Sequence, residues 1–165
     1  MFDAARKMII TTSGNVRLLG FYSPQKYKKS KGLVILLHGW EGSVASTYIL
    51  RTGNSLYGRG YDIFRLNFRD HGDSHHLNQG IFYAVLLEEV FQAVRQLCRY
   101  AEQKPVFLTG FSLGGNFALR IARKMLQTPI ANLCHVAAIS QVLNTDKKTF
   151  RIDQNPKIHK YNIKK

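Results

Sequence analysis

Gly110-Phe111-Ser112-Leu113-Gly114-Gly115 is the stretch that decides the fold. Upstream, Pro105–Thr109 is a short apolar run that predicts a strand; downstream, Gly115–Leu126 carries apolar residues at helical spacing and predicts a helix. The pattern Gly-x-Ser-x-Gly therefore falls at a strand–turn–helix junction, the setting in which it has a mechanical meaning. A serine on so sharp a turn must adopt strained dihedrals, and neighbouring chain passes too close for a Cβ at the flanking positions. Glycines at 110 and 114 remove those clashes. The hydroxyl of Ser112 then projects above the sheet, with the N-terminus of the next helix behind it to favour negative charge.

Working outward, the chain reads as strands first and then strands alternating with helices. Met8–Thr12 and Val16–Tyr22 flank Ser13-Gly14-Asn15, a hairpin signal. A lysine-rich loop from Gln25 to Lys31 leads to Leu33–Leu37, a solid aliphatic run bounded by glycines and expected to be buried on both faces. Ser46–Arg59 predicts a helix, Asp62–Asn67 a strand, and Arg69–Gly80 a polar, histidine-rich loop. Leu86, Val90, Ala93, Val94, Leu97 and Ala101 mark one face of a helix ending near Gln103, and Leu133–Ile139 is a sixth strand. Strands separated by helices of this length predict an α/β fold: three layers, α/β/α, around a mostly parallel sheet.

A second motif, Leu36-Leu37-His38-Gly39-Trp40, closes another buried strand. In an acyl-transfer site the tetrahedral oxyanion needs two fixed backbone donors. The N–H of Leu113 can be one and the N–H of Trp40 the other. Gly39 lets the backbone approach a substrate, and Trp40 could wall an apolar acyl pocket. His38 reads as a structural histidine pinning the loop rather than as a base.

With these residues in place the chain resembles the α/β-hydrolase superfamily, especially its bacterial esterase- and lipase-like serine hydrolases. The matching segments are Leu33–Trp40, the loop Asn67-Phe68-Arg69-Asp70-His71-Gly72-Asp73-Ser74, and the nucleophile elbow from Gly110 to Asn116. The resemblance runs from about Met8 to about Gln141. It implies that Ser112 is the nucleophile, that Trp40 and Leu113 form the oxyanion hole, and that a carboxylic ester is hydrolysed through an acyl-enzyme on Ser112. The implied partner is a small-molecule ester or related acyl substrate, and no cofactor or metal is implied. Amidases, thioesterases and lactonases share the family, so ester is its commonest expectation. Asp70, His71, Asp73, His75 and His76 could also be read as nitrogen and oxygen ligands of a metal, but the family loop accounts for the first four of these positions without one. Glu88 and Glu89 read as solvated helix face; Phe82, Tyr83 and Phe91 read as packing residues.

Family order places an acid and then a histidine after the serine. Downstream of Ser112 the acids are Asp146 and Asp153 and the histidines His135 and His159, and the residues after Ile139 are too few for two further strands with their helices. The expectation is an α/β-hydrolase core over residues 1–143, lacking its last strands and truncated after strand six, followed by a basic C-terminal tail over residues 144–165. Ser112 then lacks a base and orienting acid, giving weak or no activity. The sixth strand becomes an exposed apolar edge, open to self-association. Three explanations stand side by side: a truncated hydrolase, a minimal enzyme that recruits His71, His75 or His76 as base, and a missing half supplied by a second polypeptide.

Composition bounds the alternatives. The chain has 165 residues, 24 basic against 10 acidic side chains, a net charge of +14 and 45% hydrophobic residues. That suits one globular domain. Its longest aliphatic run is far too short for a transmembrane segment, and Met1–Ile10 does not resemble a secretory signal. Cys98 and Cys134 both lie in apolar segments without ligand spacing, which predicts buried, reduced thiols and a cytoplasmic protein. The charge favours polyanions in general, but no module for specific nucleic-acid recognition accompanies it. The reading from a different class is a non-catalytic basic module that binds an anionic partner, nucleic acid or an anionic membrane surface.

Overall fold

The aliphatic run Leu33–Leu37 needs apolar neighbours on every side, and the chain is arranged to supply them. In the computed structural model, which describes residues 1–26 and 29–141, this run is β3 and all of its residues are buried. Parallel strands flank it: β4 (Asp62–Leu66) on one side and β5 (Val106–Phe111) on the other. Beyond β5 lies β6 (Leu133–Ile139), also parallel. Beyond β4 lies the antiparallel hairpin of β2 (Arg17–Ser23) and β1 (Arg6–Thr11), giving the order β1-β2-β4-β3-β5-β6. The hairpin turns through Gly14 and Asn15, both at positive φ (71° and 59°), which is why a Gly-Asn pair stands there.

Side chains alternate across β3 and so define two faces. Val34 and Leu36, with Ile63, meet Ile49 of α1 (Thr47–Gly58). Leu33, Ile35 and Leu37 join a larger cluster with Val90, Phe91, Val94 and Leu97 of α2 (Leu87–Tyr100) and Phe117 and Ile121 of α3 (Leu113–Lys124). The result is the expected three-layer α/β/α sandwich. Among the described residues no helix is long and apolar enough to cross a membrane.

Several sequence expectations are corrected. β5 runs on to Phe111 and α3 starts at Leu113, because Gly114 and Gly115 lie inside the helix, where chain crowding rather than helix breaking requires them. α2 stops at Tyr100, and Glu102 enters the left-handed region (φ 55°) just beyond. Cys98 is buried as expected, and burial pushes its thiol up to about 12; Cys134 is exposed, on a strand with one neighbour among the described residues. Glu88 is solvated and paired with Lys124, but Glu89 is buried and ion-paired with Arg69 at 2.5 Å. Burial pushes the Glu89 carboxyl above its ordinary range, against the pull of Arg69. Phe91 is buried and Phe82 stacks on Phe68 (centroids 5.3 Å), whereas Tyr83 is exposed rather than packed. The basic tail from residue 144, with Asp146, Asp153 and His159, lies outside the described residues.

Candidate active site

The corner between β5 and α3 is built from close approach. A Cβ on Gly110 would lie 2.0 Å from the carbonyl oxygen of Gly114, and one on Gly114 would lie 2.5 Å from the carbonyl oxygens of Leu37 and His38. No side chain fits at either position, so α3 seats directly against the end of β3. Between the glycines Ser112 takes φ 51° and ψ −112°, a conformation that an L-residue holds only when its surroundings enforce it. Two backbone bonds do so: the Ser112 N–H donates to the Ile139 carbonyl of β6 (2.9 Å), and its carbonyl accepts from the Asn116 N–H (3.1 Å). The half-buried Ser112 side chain does not cap its own helix. Leu113 is the first residue of α3, where an N–H has no acceptor within the helix.

Facing this corner is the turn after β3. Gly39 to Gly42 is closed by the Gly42 N–H on the Gly39 carbonyl (3.1 Å), and Trp40 stands at its tip, 62% exposed. A Cβ on Gly39 would be 3.2 Å from the Cβ of Ser112, so the turn and the serine are in contact. His38 anchors the turn from below. It is fully buried; its Nε2 accepts from the Phe68 N–H (3.2 Å) and its Nδ1 donates to the Gly39 carbonyl (2.8 Å), an arrangement that fixes the neutral ring. Burial lowers its pKa to about 4, with neighbouring His71 adding to the effect. With both nitrogens engaged, His38 has a structural rather than a proton-transferring place.

Tyr48, at the start of α1, escaped the sequence reading. Its hydroxyl accepts from the Gly39 N–H (2.8 Å) and its ring lies 5.1 Å from that of Phe111, so it touches both halves of the corner. A tyrosine in a helix ordinarily reads as packing, and no spacing signal marks it.

The other histidines are placed as follows. His71 packs beside His38 (centroids 5.0 Å) with Nδ1 on the Arg69 carbonyl (2.8 Å). His75 pairs with Asp70 at 2.6 Å, and His76 is exposed. His135 stacks on Phe107 (centroids 5.7 Å). Among the described residues none of these hydrogen-bonds to Ser112, and no three His, Cys, Asp or Glu side chains converge as metal ligands. What the corner offers is a serine at the end of β5, between the N-terminus of α3 and a glycine turn. Such a geometry can hold an anionic oxygen beside an attacking group.

The sequence profile of the alpha/beta hydrolase fold matches residues 32–157, and the chain belongs to that family. Solved structures agree on the fold. An esterase of Pyrococcus furiosus superposes with a TM-score of 0.75 at 24% identity, covering 97% of this chain and 62% of that one. A serine hydrolase homologue from Coxiella burnetii gives 0.61 at 20% identity, covering 76% and 59%. A serine hydrolase without a lid from Xanthomonas campestris gives 0.62 at 16%, covering 92% and 79%. The chain thus spans less than two thirds of the length of the first two proteins. No curated protein matches it.

Proposed function

We propose that Ser112 is the nucleophile of a carboxylic-ester hydrolase and that the N–H groups of Trp40 and Leu113 form its oxyanion hole. The observation that carries this reading is the strained Ser112 backbone, φ 51°, locked between Gly110 and Gly114 and set against Gly39. Such strain is maintained where a side chain must be aimed. In the proposed reaction Ser112 Oγ attacks the ester carbonyl carbon and loses its proton to a base. The carbonyl electron pair moves to the oxygen, where the two N–H groups receive it. Collapse expels the alcohol, which takes up the proton and leaves the acyl group on Ser112. Water then releases the acid and restores the hydroxyl. Esters are favoured over the family's other acyl substrates because solved relatives include proteins described as esterases.

No histidine among the described residues hydrogen-bonds to Ser112, so the proposal assigns the base to no residue. An unassisted serine is a weak nucleophile, while an oxyanion hole alone retains roughly 10³–10⁴-fold catalysis over water in the protease precedent. The test is a fluorophosphonate probe followed by peptide mass spectrometry. Slow modification confined to Ser112 and lost in Ser112→Ala is the expected result, and rapid modification would place a working base in the chain. Modification that persists unchanged in Ser112→Ala, or none after prolonged exposure, overturns the assignment.

A further inference from the structure

We propose that the corner between α1 and β4, at the opposite end of the sheet from Ser112, binds a compact polyphosphate. A concavity of about 570 Å³ opens there, lined by Gln25, Lys26, Lys29, Lys31, Tyr57 and Arg59, with no acidic residue among the described residues of its wall. Its volume is in the range of small-ligand sites. None of the four cations has an ion-pair partner among the described residues.

The cations are brought together by a built scaffold. Gln25 donates through its N–H to Asp62 (2.8 Å) and through Nε2 to the carbonyls of Tyr57 (2.8 Å) and Tyr61 (2.9 Å). The Tyr57 hydroxyl donates to the Pro24 carbonyl (3.0 Å), and the Lys31 N–H to the Gly60 carbonyl (2.9 Å). Both arms of the lysine-bearing loop are therefore tied to the α1–β4 turn, and the Lys31 stem passes over Gly60, 3.5 Å from where a Cβ would stand. A helix C-terminus normally repels anions. Here the Leu56 and Tyr57 carbonyls are already taken, by Gln25 and by the N–H groups of Arg59, Gly60 and Tyr61. The nearby carboxylate, Asp62, is buried and committed to Tyr22, Gln25 and Lys104. Four cations with no ion-pair partner among the described residues raise the positive potential around one concavity, which a ligand of several adjacent phosphates would satisfy through charge-assisted hydrogen bonds. The concave shape favours a compact anion over a duplex or a membrane surface. Inorganic polyphosphate and the phosphate chain of a nucleotide share this chemistry.

The test is calorimetric titration of the full chain with tripolyphosphate, ATP and adenosine. Saturable binding of tripolyphosphate and ATP, without adenosine, is expected; ATP much tighter than tripolyphosphate would identify the nucleotide as the source. Lys31→Gln with Arg59→Gln should weaken binding by about tenfold or more, since each charged hydrogen bond contributes on that scale. The charge-keeping pair Lys31→Arg with Arg59→Lys should retain most of the affinity, and Lys7→Gln with Arg123→Gln, elsewhere on the surface, should change it little. Equal loss from both neutralised pairs, no saturable binding, or binding only to duplex DNA or anionic vesicles overturns the proposal. Because the readout does not involve Ser112, the result stands apart from the hydrolase assignment.

Discussion

β3 and β6 lie on opposite sides of β5, both parallel to it, and their sequences, LVILL and LCHVAAI, contain no formally charged residue. Their surroundings differ completely. Every residue of β3 is buried, whereas in β6 only Leu133 is, and Cys134, His135, Ala137 and Ile139 are exposed. β3 has a strand at each side and helices on both faces. Among the described residues β6 has one strand beside it and α3 on one face. Apolar composition states what a strand requires; its neighbours decide whether the requirement is met. Both strands nevertheless hold Ser112: β3 through the Leu37 carbonyl pressed against Gly114, β6 through the Ile139 carbonyl.

The contrast can be broken most forcefully in the core. Leu36→Ala, at a fully buried position, should cost about 2–5 kcal/mol, while Ile139→Ala, at a side chain 43% exposed, should cost about 1 kcal/mol or less. Urea unfolding of the two variants measures both. Equal losses would mean that β6 is buried as deeply as β3.

A second probe sits just beyond β3. His38 has a folded-state pKa near 4, below its ordinary 6.5, so between those values the unfolded chain takes up a proton that the native protein refuses. Its contribution is complete above pH 6.5 and is lost as pH falls toward 4, by up to about 3 kcal/mol. Unfolding free energies measured at pH 7, 5.5 and 4 should therefore fall more in the wild type than in His38→Gln. Parallel curves would show that the ring is not held neutral.

Much of this was legible because local signals and tertiary demands coincide. The runs 33–37 and 133–139 match β3 and β6 residue for residue, since both are bounded by breakers and neither has a competing helical period. The sharp turn at Ser112 was readable because Gly110 and Gly114 answer to backbone contacts within a few residues or with one strand end. The same glycines hid the true start of α3, where contact with β3 outweighs their poor helix propensity. Contacts between distant segments left no local trace. Glu89 looked solvated because its partner, Arg69, arrives from the loop after β4, and Tyr48 acquires its place only when α1 meets the Gly39 turn. The roles of Trp40 and Leu113 follow from the resemblance and remain part of the proposal.

The finest test concerns the outer edge of β6, which has no strand beside it among the described residues. The Ile139 carbonyl faces β5, since it accepts from Ser112, so by alternation Ala137 also presents its N–H and carbonyl to β5 while Ala138 turns its own away. Ala137→Pro removes a ladder donor and leaves a β5 carbonyl unpaired, a loss of about 1–3 kcal/mol. Ala138→Pro removes an N–H that faces away from the sheet, where edge strands tolerate proline, and should cost less than its neighbour. Because the bond from Ser112 to Ile139 lies at the same end of the strand, Ala137→Pro should also slow fluorophosphonate modification of Ser112, and Ala138→Pro should leave it closer to wild type. Equal destabilisation by the two prolines would reveal a partner strand on the outer side of β6, and the difference between β3 and β6 would then be one of strand order rather than of burial.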